Sequence, residues 1–550
     1  MSDYFDLGTY TRPVTTRSPD AQTWFDRGLT WAYAFNHEAA VACFEQAAAA
    51  DPDCAMAYWG VAYSIGPYYN KQWWQFDPAE LERTLAAAYD AALAARTWCE
   101  HLSPVERALI EAIGLRYAQR EPANDMRPWN DAYANAMRGV YKQYPDDLDV
   151  ITLFADALIN RTPWQLWDLA TGEPAPGADT LEAQQAVERG LSMMDTHAPH
   201  AGLLHIYIHL MEMSPTPERA LGAADRLREL IPDAGHLCHM PTHIDVQCGL
   251  YADVVRSNRI AAAASWRYLE HAGLMNFHAL SQAHNYHFML YGAMLLGHYG
   301  AAMEAVAGLE AVIPEALLRI ESPPMADWLE AYVSVGVHAH IRFGRWHDIL
   351  AKPLPDDREL YCTTTAMWRY ARAVAHAVLG GIQEAERERD AFMLAREAVP
   401  LSRTLFNNTS QDILGVASAM LDGELEYRKN NFDEAFAHLR RAVELAEQMP
   451  YDEPWGWMQP PRHALGALLL EQGRVEEAEA EYRADLGLDG ALARACRHPD
   501  NVWSLHGYHE CLTRLGKHEQ AQLLAPRLAI ALARADVPIR ASCLCRLNTA

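Results

Sequence analysis

The sequence lacks long uninterrupted apolar runs and is short of positive charge. No apolar stretch approaches the ~18 residues needed to span a bilayer. The start, MSDYFDLGTYTRP, lacks the charged and apolar parts of a secretory signal. Lysine and arginine number 46 against 72 acidic residues, which gives a net charge of -26. Because such a surface repels phosphate and anionic lipid, we expect no nucleic acid and no membrane partner, and a cytoplasmic protein.

Common nucleotide-binding and hydrolytic motifs are also missing. The chain contains no G-x-x-x-x-G-K-[ST], no G-x-S-x-G and no H-E-x-x-H. It has no G-x-G-x-x-G after a strand, and strand-like alternation is scarce throughout. This pattern excludes a Rossmann unit and favours an all-α protein.

The ten cysteines show no disulfide-framework spacing. Most of them, such as Cys43, Cys54 and Cys511, fall in helical patterns, so we expect free thiols packed as small hydrophobic side chains in a reducing compartment. The C-x-C pair Cys543 and Cys545 near the C-terminus leaves a second interpretation open, because two neighbouring thiolates can chelate a soft metal.

A helical-hairpin pattern is clearest between Ala21 and Cys54. The first half carries a stripe of large, small and aromatic residues, namely Trp24, Gly28 and Trp31. The second half carries a stripe of small, large and small residues, namely Ala40, Phe44 and Ala47, and Pro52 ends the unit. Small residues let two helices approach closely while large ones fill the groove beside them. The segment resembles a tetratricopeptide (TPR) repeat.

The same frame recurs along the chain, with turns at Gly249, Gly297, Gly344, Gly473 and Gly516. The resemblance to bacterial-type TPR proteins covers roughly residues 21–535 and implies an all-α superhelical solenoid of about ten helical hairpins. We divide the chain into an N-terminal extension (1–20), N-terminal TPR units (21–199), central His-rich TPR units (200–350), C-terminal TPR units (351–535) and a C-terminal tail (536–550). Two stretches rich in aromatics, proline and glycine, 66–81 and 161–179, are predicted to be inserted loops.

Histidines cluster at helical spacing in the central region. They occur in LLHIYIHLME, GHLCHMPTHID, AHNYHFMLY and VHAHIRFG, between residues 203 and 344. Residues three or four apart share one helix face, so each group is expected to form a stripe.

The TPR resemblance implies that the second, fifth and ninth residues of each first helix face the concave groove. Over four consecutive repeats, eight of these twelve positions are histidine, although histidine makes up only 24 of 550 residues. The implied groove histidines are His205, His209, His236, His239, His243, His284, His287 and His338.

Clustered imidazolium ions would repel one another, so neutral rings are expected, and neutral imidazole is a strong ligand for transition metals. The sequence therefore predicts a metal site with one or two ions. Copper is the first choice, with iron or zinc as alternatives, because many imidazoles with few carboxylates disfavour magnesium and calcium. Glu212 lies roughly on the face of His205 and is predicted to be a ligand, a base or an outer-shell partner. Cys238 and Asp245 are expected to point away.

The sequence leaves several function classes open. Our first hypothesis is a metal-dependent oxidase or oxygenase acting on a small organic molecule, with hydrolysis as a variant. Glu212 and Tyr291 are its candidate catalytic side chains. Candidate chamber walls are aromatic residues upstream of the groove histidines, among them Trp59, Tyr63 and Trp164. The alternatives are an adaptor that binds a peptide or partner protein in the TPR groove, and a metal-storage protein.

Overall fold

The computed structural model describes residues 4–98, 101–194 and 198–547. Helices follow one another throughout these ranges, and the only named strands there are β1 (Thr404–Leu405) and β2 (Asn408–Thr409), an antiparallel pair. The prediction of an all-α fold is confirmed. No helix in the described ranges is long and apolar enough to cross a membrane.

The chain divides into two compact units. Unit 1 comprises Met1–Ile244 and Ile260–His271, and unit 2 comprises Asp245–Arg259 and Ala272–Ala550. The helices of unit 1 are α1 (Pro19–Tyr33), α2 (His37–Ala50), α3 (Ala55–Ile65), α4 (Pro78–Thr97), α5 (Pro104–Ile113), α6 (Arg127–Gln143), α7 (Leu148–Ile159), α8 (Thr180–Met193), α9 (Ala201–Met211), α10 (Leu221–Leu227) and α11 (Gly235–His239). Two helices carry residues of both units, α12 (Pro241–Gln247) and α13 (Tyr251–Ala272).

Unit 2 is largely helical up to Arg534. Its helices are α14 (His278–Leu296), α15 (Tyr299–Val312), α16 (Glu315–Leu318), α17 (Met325–Ser334), α18 (Gly336–Arg342), α19 (Trp346–Ala351), α20 (Cys362–Val378), α21 (Ile382–Glu397), α22 (Ser410–Arg428), α23 (Phe432–Glu447), α24 (Pro461–Glu471), α25 (Val475–Asp485), α26 (Val502–Arg514) and α27 (His518–Arg534). Short 3-10 turns cover Trp73–Gln75, Pro217–Ala220 and Arg494–Cys496.

The first hairpin shows why the small and large residues alternate. Phe44 on α2 is fully buried and lies against two glycines, Gly28 on α1 and Gly60 on α3. A Cβ atom at Gly60 would come within 2.4 Å of the Phe44 ring, so the ring occupies the space that a larger residue would need. This packing of α2 between α1 and α3 is the TPR-type arrangement that the sequence predicted.

Glycines with a left-handed backbone mark the predicted turns. Gly297, with φ of 75°, ends α14 two residues before α15 begins. Gly249, Gly344, Gly473 and Gly516 have φ between 61° and 76° at the corresponding turns. Residues with a Cβ atom adopt this conformation only at a cost in free energy, so glycine is favoured at the hairpin ends.

The two predicted insertions are largely irregular, with one correction. The stretch 161–179 lies between α7 and α8, as expected for a loop. The other ends earlier than predicted, because α4 begins at Pro78. The Asp77 side chain accepts hydrogen bonds from the backbone N–H groups of Ala79 and Glu80, which caps this helix before Leu81.

Candidate metal centre

The helix α9 carries two of the predicted histidines on one face. Its sequence, AGLLHIYIHLM, has apolar residues on every side, and all eleven residues are buried. A helix buried all round must satisfy each polar side chain within the protein. His205 and His209 are one turn apart, and Glu212 follows directly at the C-terminal cap.

The stripe of His236, His239 and His243 differs from the prediction of one continuous helix. The structure divides it between α11, which ends at His239, and α12, which begins at Pro241. Proline has no backbone N–H to donate to the preceding turn, so the helix is interrupted there. The three rings nevertheless remain buried in unit 1.

The Nε2 atoms of three histidines converge. His205 Nε2 lies 3.0 Å from His209 Nε2 and 3.1 Å from His236 Nε2, and these donor atoms all lie within 4.8 Å of one another. We call these residues the histidine triad. Ligands about 2.0–2.1 Å from a tetrahedral ion are about 3.3 Å apart, so the triad is close to coordinating geometry.

Hydrogen bonds at the opposite nitrogens fix two of these rings. His205 Nδ1 donates to the backbone carbonyl of Tyr33 at 2.7 Å. His209 Nδ1 donates to Glu212 Oε1 at 2.9 Å. A neutral ring that carries its proton on Nδ1 presents a lone pair at Nε2. His205 and His209 therefore direct two lone pairs at each other, which is repulsive unless a cation lies between them.

A histidine pair lies beside the triad. His239 Nε2 and His243 Nε2 are 2.8 Å apart. His243 Nδ1 contacts Glu212 Oε2, so a single carboxylate holds the Nδ1 atoms of both His209 and His243. Such contacts are typical of an outer-shell partner, which orients imidazole ligands and raises their basicity. The role of Glu212 as ligand, base or outer-shell partner stays a prediction.

Burial keeps the rings neutral. The five histidines of unit 1 in the triad and the pair are between 0% and 6% exposed. Burial lowers the pKa of His209 to about 3. Burial, together with repulsion from neighbouring rings, also lowers the pKa of His205 well below its ordinary value. Deprotonated imidazole is the form that binds metals.

Aromatic rings that the sequence did not indicate surround the triad. Phe35 lies 4.4 Å from the His205 ring and stacks on His209 and His236 at 5.6 and 5.4 Å. Tyr69 lies 4.5 Å from the His209 ring. Tyr69 lies in the aromatic-rich stretch 66–81 that the sequence predicted to be an insertion. Phe35 lies in a hairpin turn with φ of 53°, and no sequence pattern pointed to it. These rings replace water around the candidate ligands.

The aromatic residues predicted as chamber walls have mixed placements. Trp59 and Tyr63 stack on each other at 5.3 Å, and the Tyr63 hydroxyl donates to Asp156. Trp164 lies against Tyr69 at 4.7 Å, so it stands behind a ring that contacts the triad.

The remaining predicted site residues belong to unit 2. His284 stacks on Phe406 at 5.6 Å. The His287 ring meets the edge of Tyr332 at 5.1 Å, and the His338 ring meets Trp457 at 4.7 Å. Each of these histidines is buried among aromatic rings of its own unit.

Tyr291, the other candidate catalytic residue, belongs to a separate polar network in unit 2. Its hydroxyl donates to His498 Nε2 at 2.9 Å, and His498 Nδ1 donates to Asp485 at 2.8 Å. His463 Nε2 donates to the same carboxylate at 2.9 Å. The His463 ring is buried and accepts at Nδ1 from Arg342.

The cysteines are distributed largely as expected. Cys43, Cys54 and Cys511 are free and buried. Cys238 points to the backbone of Ile231 rather than to the triad, and burial raises its pKa to about 12. Cys543 and Cys545 are joined by a disulfide, so neither is a free thiolate ligand for a soft metal.

Comparison with known proteins gives low similarity. No family model and no curated protein matches the chain. Among solved structures, the human IFIT1 dimer with m7Gppp-AAAA is 11% identical with a TM-score of 0.32, covering 88% of this chain and 90% of that one. Yeast Tom70 is 11% identical at a TM-score of 0.29, covering 92% and 99%. The APC/C hetero-tetramer Cut9–Hcn1 is 12% identical at 0.27, covering 95% of each. TM-scores this low assign no role to any residue of the candidate site.

Proposed function

We propose that unit 1 binds a transition-metal ion through the Nε2 atoms of His205, His209 and His236. The observation that carries this proposal is the 3.0 Å separation of two Nε2 atoms whose rings both donate through Nδ1. A buried cation turns this repulsive pair into two ligand bonds. The carbonyl of Tyr33 and the carboxylate of Glu212 then keep the rings in the ligating orientation.

The donor set narrows the choice of metal. Three imidazole nitrogens suit copper, zinc or iron, whereas magnesium and calcium prefer oxygen ligands. Copper is our first choice, because the Irving–Williams order places it highest for a nitrogen site. The pair His239 and His243 supplies two further nitrogens for a second ion, which makes the proposed centre mononuclear or dinuclear.

We further propose that the ion serves catalysis, as an oxidase or oxygenase acting on a small organic molecule. Three protein ligands are typical of catalytic sites, which keep a coordination position open, whereas structural sites are usually closed by four. Phe35 and Tyr69 exclude water from the ligand rings, which strengthens electrostatic interactions at the centre. With zinc at the same ligands, hydrolysis is the corresponding activity.

The alternatives are an adaptor and a metal-storage protein. An adaptor that clamps a peptide needs polar groove side chains that a partner can reach. The triad histidines are no more than 6% exposed, which disfavours this use of them. Storage requires metal binding but no substrate, so it is separated from catalysis by oxygen consumption or hydrolysis in the metal-loaded protein.

The test is elemental analysis of protein purified without a histidine tag. We expect about one equivalent or more of copper, iron or zinc per chain, or uptake to that level on titration. The variant His205→Ala/His209→Ala should lose this metal and keep its helical circular dichroism. The matched control is His37→Gln, since His37 lies in unit 1 and donates to the carbonyl of Ser64. Metal-free protein that takes up no ion, or a double variant that loads fully, would refute the site.

A further inference from the structure

A cavity in unit 2 has a polar corner that the proposed metal centre does not use. The space free of protein atoms in it, counted together with open solvent at its mouth, is about 520 Å³. Aromatic and apolar side chains make most of its wall, among them Trp346, Tyr370 and Trp457. Arg342 and His463 also line it, so a charged group adjoins an apolar chamber.

Arg342 is a buried cation without a direct carboxylate partner. Its side chain is 4% exposed, and no carboxylate oxygen in the described ranges forms an ion pair with it. Its guanidinium lies over the Trp503 ring, 4.7 Å from the ring centroid. Of its five N–H groups, two make hydrogen bonds to described residues, to the Ser542 carbonyl at 2.8 Å and to His463 Nδ1 at 2.9 Å. Burial lowers its pKa to about 9, which leaves it charged at neutral pH.

The other charges nearby are already compensated. The Asp485 carboxylate accepts hydrogen bonds from His463 Nε2 and from His498 Nδ1. Glu424 lines the cavity and is paired with Arg428 at 2.7 Å. A negative group that entered beside Arg342 could therefore accept hydrogen bonds from the guanidinium. The nearby Glu424 carboxylate would repel it less, because Arg428 balances its charge.

A second donor lies in the same wall. Trp457 is 2% exposed, and its Nε1–H has no hydrogen-bond acceptor in the described part of the chain. A buried N–H without an acceptor costs free energy, and a ligand oxygen would remove that cost. The tail residue Ser542 closes the corner, because its hydroxyl bonds Tyr482 and the carbonyl of His463.

The geometry points to a binding site for a small organic carboxylate in this cavity, with its charged group at Arg342 and the Trp457 N–H and its apolar body against the aromatic wall that includes Tyr370. Arg342 supplies a planar fork of donors suited to a carboxylate. The aromatic wall supplies the apolar contact that a bare inorganic anion could not use. This site lies within unit 2 and is independent of the metal proposed for unit 1.

Benzoate, acetate and benzamide test the assignment by isothermal titration calorimetry on the full chain. We expect benzoate to bind, acetate to bind more weakly because it lacks the ring, and benzamide to bind at least about tenfold more weakly than benzoate because it lacks the charge. Absence of binding by both carboxylates at millimolar concentration, or equal affinity for benzoate and benzamide, would overturn the assignment.

Variants locate the contact. Trp457→Phe keeps an aromatic ring but removes the N–H together with part of the indole surface, so it should weaken benzoate binding about fivefold to tenfold. Arg342→Lys keeps the charge but loses the fork, and Arg342→Gln should abolish binding. Trp455→Phe is the control, since the Trp455 N–H bonds the Ala446 carbonyl and the residue does not line the cavity. If Arg342→Gln fails to fold, Trp457→Phe alone decides, and unchanged benzoate affinity in that variant contradicts the site.

Discussion

The Nε2 atoms of His205 and His209 lie 3.0 Å apart, and neither ring carries its proton there. The one-turn spacing on α9 brings the rings together, and the partners at Nδ1 prevent them from forming an ordinary hydrogen bond with each other. Without a cation, unit 1 therefore contains a buried repulsive contact. Occupation by a metal and stability of the unit should be linked.

Removing the metal should destabilise the protein. An ion present at 100 times its dissociation constant contributes about 2.7 kcal/mol to the free energy of unfolding. We expect dialysis against a chelator to lower the melting temperature measured by circular dichroism, and re-addition of the ion to restore it. The variant His205→Ala/His209→Ala should lose the part of this response that the triad ion contributes. A wild-type melting temperature that chelation leaves unchanged would contradict the linkage.

Replacing Glu212 with glutamine should weaken metal binding without removing a ligand. The carboxylate accepts from the Nδ1 atoms of His209 and His243, and an amide nitrogen in its place would oppose one of those donors. Loss of an outer-shell partner costs about 10–100-fold in metal affinity. A chromophoric chelator in competition measures the change. Glu188→Gln is the control, because Glu188 pairs with Arg219 away from the triad, and it should bind metal like the wild type.

The stoichiometry should distinguish the triad from the histidine pair. We expect the first equivalent to occupy the triad and a second, weaker equivalent to need His239 and His243. The variant His239→Gln should then reduce binding from two equivalents to one, whereas His236→Gln should weaken the tighter equivalent. Titration followed by elemental analysis measures both. Loss of all metal in His239→Gln would show that the pair, not the triad, holds the first ion.

Features set by local sequence were predictable. The stripe of Gly28 and Phe44 predicted the first hairpin, and the turn glycines predicted where helices end, because both depend on residues close in the chain. The pairing of His205 with His209 followed in the same way from helical periodicity.

Features set by distant segments were not predictable. The carbonyl of Tyr33 that orients His205 comes from 172 residues earlier in the chain. Phe35 and Tyr69 reach the triad from the same distant region, and no periodicity on α9 indicates them. Pro241 is a helix-breaking residue that the sequence displays, but the spacing of His236, His239 and His243 predicted one continuous helix.

Replacing Gly60 with alanine should destabilise unit 1 by about 1–3 kcal/mol, the usual cost of overpacking a core. The new Cβ would come within 2.4 Å of the Phe44 ring, which is fixed between two helices. Gly139→Ala is the matched control, since nothing lies within 4 Å of a Cβ at that helical position. It should stabilise by up to about 1 kcal/mol through helix propensity. Urea unfolding measures both, and equal effects would contradict the packing account.

The buried carboxylate of Asp149 should make unit 1 sensitive to acid. The carboxylate accepts hydrogen bonds from Arg12 at 2.6 Å, from the Tyr33 hydroxyl at 2.6 Å and from His200 Nε2 at 3.0 Å. Although burial raises the pKa of Asp149, the Arg12 guanidinium and His200 hold it well below its ordinary value. A depressed folded-state pKa contributes stability that is present above the unfolded value of about 3.9 and is lost as the pH falls below it. Asp149→Asn leaves the Arg12 charge buried with only Asp147 as partner, so it should cost about 3–5 kcal/mol at pH 7. That deficit should shrink as the pH falls below 4, because the wild-type carboxylate loses its advantage there. Urea unfolding of both proteins across this range measures it, and a deficit that stays constant with pH would show that Asp149 acts through packing rather than charge.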